Sequence, residues 1–153
     1  MRSRIAICLA TSLLAAGDAP PTLRITGAIA GGTVGFDLEA LRSLPQAGLE
    51  TSTVVTDGTH LFTGFLMRDL LEKVEARGET VTATALNEYI VDIPISDFHN
   101  YDVVVAYEMD GKPLERADKG PLWIVYPRDD HSELQDIRFD YRWVWQLSGL
   151  EVR

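Results

Sequence analysis

Apolar residues keep a helical period over only two stretches of this chain, and both are short. Leu38 to Leu44 follows Asp37, a good N-cap residue, and is stopped by Pro45 after two turns. Leu66 to Ala76 places Leu66, Leu70, Leu71 and Val74 on one face, with Gly78 as the stop. A third, single turn is expected to begin at Ser96 and end before Asn100. With so little helix, the core has to be built from strands.

The strand signals are spread along the whole chain. Leu23 to Ala30 alternates weakly and ends at the Gly31-Gly32 turn. Leu49 to Thr56 is rich in Thr and Val and is closed by Asp57-Gly58. Val81 to Leu86 and Tyr89 to Ile93 follow. Val103 to Met109 and Pro121 to Tyr126 are apolar enough for central strands, and Asp110-Gly111 marks a tight turn. From Ile137 to Val152 the aromatic residues Phe139, Tyr141, Trp143 and Trp145 fall on alternate positions, which predicts an extended ribbon closed by Leu147, Leu150 and Val152. About eight strands with two short helices define an α+β fold. No repeat or second domain boundary interrupts it.

The N-terminus is of a different character. Arg2 and Arg4 precede an apolar run from Ile5 to Ala16, and Gly17-Asp18-Ala19-Pro20-Pro21 follows. A basic start, about a dozen apolar or small residues and a small-residue exit are the three regions of a secretory signal peptide. The run is too short for a bilayer span, which takes roughly 20 apolar residues. Residues 1–17 are therefore expected to be a cleaved signal peptide, followed by one domain over residues 23–153, exported to the periplasm or secreted. Cleavage would remove Arg2 and Arg4 and take the net charge from −9 to −11. It would also remove Cys8, the single cysteine, leaving no disulfide and no thiolate nucleophile or metal ligand.

Charge and motif content narrow the function. A chain with 23 acidic against 14 basic residues is not expected to bind nucleic acid phosphates. There is no G-x-S-x-G elbow, P-loop or H-E-x-x-H. Gly27, Gly31, Gly32 and Gly35 do not fit the dinucleotide fingerprint. Asp129-Asp130-His131-Ser132-Glu133 offers oxygen and nitrogen ligands, but a patch of this kind reads as a solvated acidic loop, and no metal is expected. Carboxylates are close together at Asp97 and Asp102 and at Asp129 and Asp130, without a sign that either pair shares a pocket.

What remains is recognition chemistry. Thr51, Ser52, Thr53 and Thr56 crowd one strand and its exit. Trp123, Trp143 and Trp145, with Tyr89 and Tyr126, are flat surfaces on which a planar ring can stack. Asp118 and Arg128 flank the strand Pro121 to Tyr126. An aromatic face, a carboxylate and a rim of hydroxyls suit a heterocycle with amide-like edges. The same residues have a plainer reading, since Thr favours strands and a strand Trp is more often core than ligand contact.

The order of motifs resembles one known family. Thr26-Gly27 to Pro45, Phe62-Thr63-Gly64-Phe65-Leu66-Met67-Arg68-Asp69-Leu70-Leu71, and Asn87-Glu88-Tyr89-Ile90-Val91-Asp92-Ile93-Pro94 resemble the sulfite-oxidase-like molybdopterin-binding domain. So do Met109 to Leu114, Lys119-Gly120-Pro121-Leu122-Trp123-Ile124-Val125-Tyr126-Pro127, and Trp145 to Val152. The resemblance runs from about residue 23 to the end. It implies a single mixed, β-rich domain. In the family's molybdenum enzymes a cysteine on the segment matching Leu49 to Asp57 supplies a thiolate to the metal. Here that segment reads Leu-Glu-Thr-Ser-Thr-Val-Val-Thr-Asp, and hydroxyls are poor substitutes for a thiolate.

The chain is similar in this respect to the small, cysteine-free exported members of the family. That similarity implies a reduced pterin held without metal, with molybdopterin not expected. It further implies a sensor or regulator acting on a membrane partner, such as the periplasmic domain of a cyclic-di-GMP enzyme or a sensor kinase. A molybdopterin-dependent oxidoreductase and a ligand-free interaction domain are the alternatives. The residues expected to contact the ligand are Thr53, Asn87, Tyr89, Arg128 and Trp145, with Asp118 and Trp123 behind them.

Overall fold

The computed structural model describes residues 20–153, so the segment read as a signal peptide and Cys8 lie outside the described residues. Two sheets share one core. The first has the order β2-β1-β10-β5-β6, from β1 (Leu23–Gly27), β2 (Thr33–Phe36), β5 (Thr80–Ala85), β6 (Ile90–Pro94) and β10 (Leu147–Val152). Only β1 and β10 run parallel in it. The second sheet has β3 (Ala47–Ser52), β4 (Thr59–Leu66) and β7 (Val104–Met109) side by side. The short strands β8 (Lys112–Pro113) and β9 (Trp123–Val125) pair with opposite ends of β7, and every pairing in this sheet is antiparallel.

Among the described residues three short α-helices close the gaps. In α1 (Leu38–Arg42) the Asp37 carboxylate accepts the Ala40 N–H at 2.8 Å, the expected cap, and Leu41 turns into the core. In α2 (Met67–Lys73) Met67, Leu70 and Leu71 are buried. The single turn α3 (Ser96–Asn100) buries Asp97 and Phe98. Side chains from both sheets meet in one apolar cluster that includes Leu23, Ile25, Phe62, Phe65, Val81 and Ile93, all fully buried. This is a single mixed, sheet-rich α+β domain, as the sequence leads one to expect.

The structure differs from the sequence reading in places with identifiable causes. Three strands were not anticipated: β2, β4 and the two-residue β8. β2 forms because Gly31 and Gly32, both at positive φ (77° and 76°), turn the chain back on β1. β4 lacks a period-two signal because it is central: Phe62, Thr63, Gly64 and Phe65 are all buried. β3 ends at Ser52 rather than Thr56. Beyond it the Thr53 hydroxyl accepts the Val55 N–H at 3.1 Å and pairs with the Thr56 hydroxyl at 2.8 Å, a local turn that competes with the ladder.

The largest correction concerns Ile137 to Val152, which is not one extended ribbon. Ile137–Arg142 is a 3₁₀ helix, Trp145 makes only an isolated bridge to Trp123, and β10 begins at Leu147. Asp136 caps the helix by accepting the Arg138 N–H at 2.8 Å. Arg142 is drawn inward to Asp97, its guanidinium 4.6 Å from the Phe139 ring centre and 5.4 Å from that of Tyr141. These contacts outweigh the period-two pattern.

Candidate functional site

A cleft of about 280 Å³ opens between the β5–β6 turn and the segment leading into β10. Asn87 and Tyr89 line one side, and Asp140, Tyr141, Trp143 and Trp145 line the other. Each side is shaped by local chemistry. Glu88 sits at φ 70°, and the Asn87 side-chain oxygen accepts the Tyr89 N–H at 3.1 Å, which fixes the tight turn. The Tyr89 hydroxyl donates to the Tyr141 carbonyl at 3.1 Å and ties the two walls together. Trp145 is held from behind, its ring edge-on to Trp123 at 6.5 Å, and Lys119 Nζ lies 5.4 Å from its ring centre.

Beneath the cleft lies a buried polar network. Asp97 accepts from the Tyr126 hydroxyl at 2.8 Å and from Arg142 Nη1 at 2.5 Å. The Tyr126 ring stacks on Trp143 with centres 6.1 Å apart. Burial, with the Asp97 charge beside it, pushes the Tyr126 hydroxyl far above its usual pKa, so it stays a donor at any working pH. The wall residues therefore rest on an ion pair that is itself nearly out of water.

The structure brings Asn87, Tyr89 and Trp145 together in this cleft and places the other expected residues elsewhere. Thr53 is buried at the end of β3, with its hydroxyl engaged in the turn described above. The 3₁₀ turn Arg128–Asp130 packs against that end of β3, so Arg128 belongs to the same corner as Thr53. There Ser52 donates to the Asp129 carboxylate from its N–H at 2.9 Å and its hydroxyl at 2.6 Å, which lowers the Asp129 pKa. Trp123 is fully buried, edge-on to Phe62 at 5.3 Å, and acts as core between the corner and the cleft. Asp118 is exposed and pairs with Lys119 at 3.1 Å.

Asp140 and Tyr141, and Trp143 among the residues named for stacking, line the cleft without having been selected as contacts. The signal that could have found them is the run Phe139-Asp140-Tyr141-Arg142-Trp143, where an acid stands among aromatic residues. A larger groove of about 480 Å³ runs along the end of α2, where Arg68, Glu72, Glu75, Arg77 and His99 line it. It is charged and has no Phe, Tyr or Trp in its lining.

A β-rich α+β domain with an aromatic cleft is the kind of protein that holds a flat heterocycle. Residues 21–129 match the family described as the oxidoreductase molybdopterin binding domain, and the chain belongs to that family. The matched span takes in Asn87 and Tyr89 and ends before Asp140 to Trp145. No curated protein matches the chain.

The family binds a molybdopterin-type cofactor, and the residues present fit one part of such a group. Its pterin ring suits the cleft, whose walls carry the rings of Tyr89, Tyr141, Trp143 and Trp145 and the acid Asp140. A metal thiolate has no counterpart: the described residues contain no cysteine, and Thr51, Ser52 and Thr53 occupy the segment that would carry it. Among the described residues no group of three His, Cys, Asp or Glu side chains is arranged to hold a metal ion.

Proposed function

We propose that this domain binds a reduced pterin without metal and acts as an exported sensor or regulator on a membrane signalling partner. The observation that carries the reading is the cleft between Asn87–Tyr89 and Asp140–Trp145, with aromatic walls and an acid among them. At about 280 Å³ it lies at the small end of ligand pockets, a size suited to one bicyclic ring. Trp143 and Trp145 offer faces to that ring, and Tyr89 joins the walls. The hydroxyls of Thr51 to Thr53 stand where the molybdenum enzymes it resembles place a thiolate, which favours a pterin carried without its metal. Arg2, Arg4 and the apolar run to Ala16 support export, and an exported regulator would meet its partner in the periplasm. The partner we favour is the periplasmic domain of a cyclic-di-GMP enzyme or of a sensor kinase.

The test is anaerobic titration calorimetry with a tetrahydropterin, alongside native mass spectrometry of protein taken from the periplasm. Binding at micromolar concentration, reduced up to roughly tenfold in Trp145→Ala, is expected from the loss of one aromatic contact. No binding at millimolar tetrahydropterin would refute the reading. A co-purifying molybdopterin mass would replace it with that of a molybdenum enzyme.

A further inference from the structure

We propose that Asp140 is the specificity-determining residue of the cleft, selecting the 2-amino-4-oxopyrimidine edge of a pterin over the 2,4-dioxopyrimidine edge of a lumazine. The inference rests on the pterin-binding reading above and names what that site reads. Four buried side-chain polar atoms among the described residues have no hydrogen-bond partner: Trp123 Nε1, Arg128 Nε, Asp140 Oδ1 and Trp143 Nε1. Two of the four belong to residues that line this one cleft. One is an acceptor and the other a donor. Asp140 Oδ2 is not among them and makes no hydrogen bond among the described residues, so it is the accessible oxygen of that carboxylate.

The neighbouring charges leave Asp140 available. Arg138 is engaged by Asp136, through two hydrogen bonds of 3.0 Å each, and Arg142 by Asp97. No cation forms an ion pair with Asp140 among the described residues. A carboxylate only accepts, and the accessible oxygen of Asp140 suits a donor at the edge of a ring in the cleft.

The edge of a pterin is such a partner. Its N3–H and 2-amino group point the same way, so either donor can meet that oxygen. A lumazine carries an oxygen at position 2, so an acceptor would face the carboxylate and repel it. An amide at position 140 reverses the preference, since its NH₂ can take the accessible position and donate to the ring oxygen.

The test measures binding of 6,7-dimethyltetrahydropterin and 6,7-dimethyltetrahydrolumazine to wild type and Asp140→Asn by anaerobic calorimetry. Circular dichroism and melting temperature confirm that the variant folds. Wild type is expected to prefer the pterin by roughly 10- to 100-fold, the worth of hydrogen bonds to a charged group, and Asp140→Asn to prefer the lumazine. Wild type that binds both rings equally would overturn the inference and leave the pterin reading standing. So would a variant that keeps the wild-type preference. Wild type that binds neither ring would overturn the pterin reading, and this inference with it. Should the variant fail to fold, Asp140→Ser serves instead: loss of the wild-type preference supports the inference, and its retention overturns it.

Discussion

Removing the carboxylate of Asp97 tests how the cleft is held in place. The Asp97 side chain is 8% exposed and that of Arg142 16%, and Asp97 Oδ2 accepts from both Arg142 and the Tyr126 hydroxyl. In Asp97→Ala the guanidinium keeps its charge with little water to replace the lost partner, and a buried hydroxyl loses its acceptor. Breaking a buried pair by removing one member costs about 3–5 kcal/mol. The remaining exposure of Arg142 lets water recover part of that, so a loss of about 3 kcal/mol is expected. For a domain of this size each kcal/mol lowers the melting temperature by about 3–4 °C, which makes the expected drop about 10 °C.

Urea melts followed by tryptophan fluorescence, on a double-mutant cycle, separate this account from simple loss of packing. Asp97→Asn keeps an acceptor for Tyr126 and should lose about half as much as Asp97→Ala. Combining Asp97→Ala with Arg142→Met removes both charges. The double variant should then be more stable than the sum of the single changes by about 2–3 kcal/mol. Additivity within about 0.5 kcal/mol would refute the reasoning, because it would mean the two groups do not depend on each other. The fluorescence also reports on the cleft, since Tyr126 stacks on Trp143 and Arg142 lies beneath the rings of Phe139 and Tyr141.

Two further predictions follow from single sites. His60 has Nδ1 2.6 Å from the Asp110 carboxylate and Nε2 2.8 Å from the Asp57 carbonyl, and both contacts are satisfied at once only by the imidazolium. The hydrogen bond to Asp110 raises the His60 pKa above 6.5, so its stabilising contribution is fully present below pH 6.5 and is lost as pH rises through the raised value. An NMR titration of His60 should show a midpoint above 6.5, and a midpoint at or below it would sink the argument. At Gly64 an added Cβ would sit 1.8 Å from the Val105 carbonyl oxygen and 2.7 Å from Ala106 Cα, both backbone atoms of β7. Gly64→Ala should lose more than about 3 kcal/mol or fail to yield folded protein, and a urea melt within about 1 kcal/mol of wild type would contradict the close approach.

Much of the frame was legible from local chemistry. Asp37 before an apolar run gave α1, Gly31-Gly32 and Asp110-Gly111 gave turns, and Val81 to Leu86 read as the strand that became β5, whose odd positions Val81, Ala83 and Ala85 are buried. The central strand β4 was hidden because burial on both faces removes the alternation that marks a strand. At the site, the resemblance led to Asn87, Tyr89 and Trp145, and the structure sets all three on one cleft. It did not lead to Asp140, because period two in Phe139, Tyr141, Trp143 and Trp145 predicted a ribbon in which residue 140 would face away from the rings.

What breaks that period is a partner 45 residues distant, Asp97, which no local pattern reveals. The same contact has a second effect. It engages Arg142 at Asp97, while Asp136 engages Arg138, and neither guanidinium forms an ion pair with Asp140. Had Arg142 stayed on the outer face of an extended strand, it would have stood two residues from Asp140 on the same side. An ion pair there would compete with a ligand for the carboxylate. The fold thus builds the aromatic wall and frees an acceptor on it with one buried salt bridge, which is why stability measured at Asp97 and ring selectivity measured at Asp140 probe one piece of architecture.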